Sequence, residues 1–163
     1  MKKLALIMAL ALALSLGMLA GCSNGDGAAA GGDAQQAQAS TTIPDEVFAD
    51  GCDAAGLADG VYAMDIEFAG GTGKASIDSP TTVAVKGGKV AAEVVWSSPN
   101  YDYMLINGKR YDQINTDGGN SVFQIPVTVL DGPMEVVGDT TAMSTPHEID
   151  YTVTFISSSA KAK

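Results

Sequence analysis

The chain has 163 residues, with nine Lys and Arg against nineteen Asp and Glu, a formal net charge of −10 and 46% hydrophobic residues. A field of that sign argues against nucleic acid as a partner and against direct contact with anionic lipid headgroups. The cysteines are Cys22 and Cys52, so no disulfide framework is available if either is engaged elsewhere.

Met1-Lys2-Lys3 makes a short basic start, and Leu4 to Leu19 is an almost unbroken apolar run. That run is too short for a comfortable membrane span and has the pattern of a secretory signal covering residues 1–21. It ends in 19-LAGC-22, which resembles the bacterial lipobox. The resemblance implies that Cys22 becomes the mature N-terminus and carries acyl chains. Two or more chains, at about 0.8 kcal/mol per buried CH₂, anchor stably where one would not. The expectation is a lipoprotein held at the cell membrane through Cys22, facing the extracytoplasmic side. Loss of Lys2 and Lys3 with the signal leaves seven basic residues against nineteen acidic ones.

Residues 22–56 are dominated by Gly, Ala, Ser, Gln, Thr and Asp. Such a segment buries too little apolar surface to offset its ordering entropy and reads as a flexible linker. Ile43, Val47 and Phe48 stand out within it, and PDEVFADG has the composition for one helical turn packed on the domain. Cys52 reads as an incidental thiol at the domain edge.

From 57 to 157 the pattern is strand-like throughout, in a segment large enough to bury its own core. Val61–Phe68 alternates, with Tyr62, Met64, Ile66 and Phe68 on one face. Thr82–Lys86 and Lys89–Trp96 flank 87-GG-88, a two-residue hairpin turn. Tyr101–Ile106 and Lys109–Tyr111 flank 107-NG-108, the strongest hairpin signal in the chain. Ser121–Val129 contains Pro126, which assigns it to an edge or a bulge. Met134–Val137 and Glu148–Ile156 follow, and 158–163 is a polar tail. Seven to nine short strands without a helical stripe predict an all-β fold, an immunoglobulin-like antiparallel β-sandwich with Trp96 as a core plug.

Catalysis finds little support: the chain has one histidine, no spacing that recommends a triad, and acids scattered in turns. The glycines of 70-GGTG-73 lead into a strand, so the helix terminus that a phosphate loop needs is missing. Asp112, Asp117 and Asn120 offer oxygens for calcium, but Asp and Asn occupy such turns for backbone reasons. Binding remains. His147 and Tyr151 share one face of the last strand, about 13 Å apart. With Met143 above, they suit a haem or a soft metal. The plainer alternative makes His147 an edge residue and Tyr151 a core residue.

Over residues 59–156 the chain resembles the NEAT (iron-transport-associated) family of immunoglobulin-like domains on bacterial surfaces. The resemblance lies in 59-DGVY-62, 81-TTVAVKGGKVAAEVVWSS-98, 121-SVFQIPV-127 and the terminal HEIDYTVTF. Haem-binding members carry Tyr-x-x-x-Tyr on the last strand, and here those positions fall on His147 and Tyr151. The resemblance implies capture of haem or an iron-related ligand, with Tyr101, Tyr103, Met104, Met143, His147 and Tyr151 as the pocket and His147 on the metal. It also implies an envelope transport protein as partner. Two alternatives stand beside it: a recognition module presenting 97-SSPNYDYM-104, and a metal-handling lipoprotein using Met143 and His147.

Overall fold

The computed structural model describes residues 42–143 and 145–163. The expected signal, Cys22 and the linker up to residue 41 lie outside the described residues. Among the described residues no helix is long and apolar enough to cross a membrane.

Among the described residues ten strands form two antiparallel sheets. The first holds β1 (Gly60–Met64), β3 (Thr81–Lys86), β4 (Lys89–Val95), β7 (Val122–Pro126) and β10 (Lys161–Ala162), in the order β10-β1-β3-β4-β7. The second holds β2 (Ile66–Gly70), β5 (Tyr101–Ile106), β6 (Lys109–Asp112), β8 (Pro133–Thr140) and β9 (His147–Phe155), in the order β2-β9-β8-β5-β6. The fold is the all-β antiparallel sandwich expected from the alternation.

Both hairpins form where the sequence places them. Gly87 and Gly88 have φ of +58° and +73°, and Asn107 and Gly108 have +51° and +77°. Two successive left-handed residues match the right-handed twist of the flanking strands. Asp59 locks the first turn by accepting from the Gly87 and Gly88 N–H groups at 2.8 and 3.1 Å. Pro126 ends β7, an edge strand, where a missing N–H costs no ladder bond. Trp96 is fully buried, as are Phe123, Phe155 and Met64.

Three features differ from the sequence reading. The single strand expected over Val61–Phe68 is two, and the chain crosses from one sheet to the other at Asp65. The alternation runs unbroken through the crossing because Met64 and Ile66 each face the interior from their own sheet. The crossing is secured through its backbone. The Asp65 and Ile66 N–H groups donate to Ser159 Oγ and Ser79 Oγ at 2.8 and 3.0 Å, and Asp65 O accepts from Ile156 N–H.

The domain also reaches beyond 57–157 at both ends. A one-turn helix, α1 (Asp45–Phe48), contacts β4 and β7, and Ile43, Val47, Phe48 and Ala54 are buried in the core. Next to it the Cys52 N–H donates to Val127 O at 2.7 Å, Val90 N–H donates to Cys52 O, and Ala54 N–H donates to Gly88 O. Four apolar side chains and the backbone bonds of Cys52 and Ala54 together dock this polar segment. Cys52 is half-buried, and burial pushes its thiol up from the ordinary range. At the other end β10 pairs with β1 and Lys163 Nζ donates to Thr82 Oγ1 at 2.7 Å, so the expected tail is a sheet edge.

The docked N-terminal segment should therefore carry stability. Replacing Phe48 with Ala should cost about 3 kcal/mol by chemical denaturation; a change below 0.5 kcal/mol would show that α1 packs without contributing.

Candidate functional site

The face of β9 turned to the interior carries His147, Ile149, Tyr151, Val153 and Phe155, and burial deepens along it. His147 is exposed, Ile149 is half-buried, and Tyr151, Val153 and Phe155 are buried. The strand thus begins exposed to solvent and ends in the core. His147 lies opposite Thr140 across the β8–β9 pair. Met143, in the connection between these strands, is 54% exposed. His147 and Met143 are therefore the solvent-facing members of the expected set at this end.

Below them lies a closed aromatic cluster. Tyr151 stacks on Phe68 at 5.0 Å between centroids and meets Trp96 edge-on at 5.1 Å. Trp96 stacks on Tyr101 at 3.9 Å. The hydroxyls of Tyr101 and Tyr151 are hydrogen-bonded at 2.9 Å. The backbone of Gly71 covers the Tyr151 ring so closely that a Cβ there would stand 2.7 Å from Tyr151 Cε1. Burial, with the Tyr101 hydrogen bond adding to it, pushes the Tyr151 phenol well above its ordinary range. Tyr151 is thus a neutral, tied phenol within the cluster.

The remaining expected pocket residues separate. Met104 is fully buried, and its Sδ accepts from Trp96 Nε1 at 3.3 Å, which makes it a support for the indole. Tyr101 and Tyr103, two apart, would share a face on a regular strand. A shift of register between them, where β5 meets β8, turns Tyr103 to the outer face. There Tyr103 Oη donates to Glu148 Oε1 at 2.7 Å, and the Arg110 guanidinium lies 3.9 Å from its ring centre. The Glu148 bond raises the Tyr103 phenol to about 12. The structure therefore brings Tyr101 and Tyr151 together, with Met104 behind them, and sets Tyr103 apart. Within 97-SSPNYDYM-104, Tyr101 is buried and Tyr103 is the tyrosine on the outer face.

Elsewhere the turn reading holds. Asp112 pairs with Arg110, while Asp117 Oδ1 accepts from Gly119 N–H and Asn115 Oδ1 from Asp117 N–H. Among the described residues no three His, Cys, Asp or Glu side chains assemble around a point that could hold a metal ion.

The sequence reading missed Asp139. It ended β8 at Val137, whereas the strand runs to Thr140 and buries Asp139 to 2% exposure. Asp139 Oδ2 and Asp102 Oδ1 are both buried without a hydrogen-bond partner. Burial first, and the neighbouring Asp102 next, push the Asp139 carboxyl up. Two facing carboxyls are satisfied when they share one proton. The only signal in the sequence is the spacing of Asp139 five residues after Met134, which continues the strand if β8 is allowed its full length.

In this arrangement the structures similar to the chain can be set beside it. The NEAT5 domain of IsdX2, a hemophore of B. anthracis, in complex with haem, is 16% identical, with a TM-score of 0.47 over 60% of this chain and 96% of that one. A point mutant of the same domain, also in complex with haem, is 18% identical, with a TM-score of 0.47 over 61% of this chain and 96% of that one. No protein-family model matches the chain. A search of curated proteins finds no match. The two five-stranded sheets and their strand order, rather than this degree of likeness, define the fold.

The Asp102–Asp139 pair gives a signed pH dependence. With its folded-state affinity for a proton above the unfolded one, Asp139 contributes stability that is present at acid pH and lost as pH rises through the raised value. Asp139→Asn should remove that loss. Its unfolding free energy should exceed the parent's by on the order of 1 kcal/mol at pH 7, with the gap closing towards pH 4. A variant less stable than the parent at every pH would contradict the shared proton.

Proposed function

We propose that the chain is a membrane-anchored extracytoplasmic lipoprotein whose sandwich captures haem, or an iron-related ligand, for uptake. The carrying observation is His147: a solvent-facing imidazole at the start of β9, on the same face as a rigid aromatic wall. The sequence resemblance to the NEAT family supplies the ligand class, and the donor set fits it in part. Histidine is a competent axial ligand for haem iron, and His147 is free to approach one. Tyr151 does not fit that role, because its hydroxyl is tied to Tyr101 and its ring lies beneath Gly71. His147 would hold the iron, Met143 would cover the adjoining face, and Tyr151 and Tyr101 would keep the wall in place.

The anchor in this reading is Cys22, with acyl chains in the bilayer and an envelope transport protein downstream. A metal-handling reading rests on Met143 and His147 alone. Two such donors leave a soft metal short of a coordination set, so haem, which brings four nitrogens of its own, is the better match.

Titration of hemin into the purified chain tests the site. A Soret shift is expected in the parent, His147→Ala should weaken binding at least tenfold and change the band position, and Tyr151→Phe should leave both within about twofold. No Soret response in the parent ends the haem reading; an effect of Tyr151→Phe equal to that of His147→Ala reassigns the ligand. Metabolic labelling with a palmitate analogue, abolished by Cys22→Ala, is the expected result for the anchor, and unlabelled parent chain would refute it.

A further inference from the structure

The outer face of the second sheet carries negative charge that the fold leaves unbalanced. Glu67 on β2, Glu148 and Asp150 on β9 and Glu135 on β8 stand on this face, all exposed. Its one cation, Arg110 on β6, is committed to Asp112 at 2.6 Å and to the Tyr103 ring. The other ion pairs among the described residues join Lys86 to Asp45, Lys89 to Asp53 and Lys109 to Asp50, away from this surface. Neither Glu135 nor Asp150 has a side-chain partner among the described residues.

A groove of about 520 Å³ crosses this face from β2 to β5. Val137 lies opposite Leu105 on one side and opposite Asp150 on the other, so the half-buried Val137 and Leu105 form an apolar floor beside a carboxylate. Glu135 is paired with Thr152, which places it diagonally from Asp150, roughly 7–8 Å away. The Asn107-Gly108 turn bounds the groove on the β5 side. Ala69 and Thr152 are short in the row shared with Glu135, and two rows further along the same face stand Tyr103 and Glu148.

We propose that this groove is a docking site for a basic segment of a partner protein, with a lysine or arginine side chain laid across it. Such a side chain pairs an aliphatic stem with a cationic head. The stem matches the Val137 and Leu105 floor, and the head matches the gap between Glu135 and Asp150. Neighbouring strands lie about 4.8 Å apart, so the acids from β2 to β8 spread over roughly 10 Å and suit several cations in succession. That spread favours a segment of a protein over a single small amine. The surface lies on the opposite side of the second sheet from His147 and Tyr151, so it does not depend on what His147 binds.

Fluorescein-labelled hexa-arginine, added to the purified chain at low salt and followed by anisotropy and by amide chemical shifts, tests this. Saturable binding is expected, with shifts concentrated at residues 135–137 and 150–152. The Glu135→Gln/Asp150→Asn double variant should weaken binding at least fivefold. Glu46→Gln, an exposed acid on α1, should change it less than twofold. Leu105→Ser, with the fold checked by circular dichroism, should weaken binding although no charge changes. No binding overturns the proposal. So does equal weakening by Glu46→Gln, which would reduce the effect to diffuse attraction by net charge. Shifts confined to another face overturn it as well.

Discussion

The open end of the sandwich is organised around Trp96. The indole stands where β4 ends, in the first sheet, and its aromatic neighbours Phe68, Tyr101 and Tyr151 all belong to the second. It is fully buried, and its N–H finds the sulfur of Met104 instead of water. Aromatic pairs of this kind contribute about 0.5–1.5 kcal/mol each beyond the area they bury. Three of them on one ring make a clamp between the sheets, and the Tyr101–Tyr151 hydroxyl bond lies beside it. The rigid wall below His147 and the position of β9 both follow from that clamp.

The polar groups near this end divide by sheet face. Toward the interior the phenols of Tyr101 and Tyr151 satisfy one another. Toward solvent, Tyr103, Arg110 and Glu148 form a covered layer over Asp139. β5 serves both sides because its register shift lets Tyr101 point inward and Tyr103 outward within three residues. The same irregularity places Asp102 beside Asp139, so the two close carboxyls are a by-product of the device that splits the two tyrosines.

Much of the fold is legible in the sequence because its signals are local. Gly87-Gly88 and Asn107-Gly108 need only their own backbone preferences, Pro126 only its missing N–H, and Trp96 only its bulk. What escaped depends on partners distant in sequence. The crossing at Asp65 leaves the alternation intact, and the serines that secure it, Ser79 and Ser159, are anonymous on their own. The register shift at Asp102 is defined only against β8. Ile43, Val47 and Phe48 do announce a helical turn packed on the domain, and α1 forms there; what the sequence leaves out is that β4 and β7 draw the whole segment into the core. For the site, parity places His147 and Tyr151 on one face, and the plainer alternative of an edge histidine and a core tyrosine is what the burial shows. The partners that close the cluster around Tyr151, namely Phe68, Trp96 and Tyr101, lie far away in sequence. The buried Asp139 was lost with the last residues of β8.

The burial gradient along β9 also has a kinetic meaning. Amides near Phe155 sit in a ladder flanked by β2 and β8, and their exchange with solvent requires the whole sandwich to open. At His147 the strand pairs with β8 alone, since the register with β2 ends at Tyr151. The first turn of that pairing can fray by itself, at a small fraction of the global unfolding cost. One strand therefore joins a segment that breathes freely to one that does not, and Tyr151 marks the boundary between the two regimes.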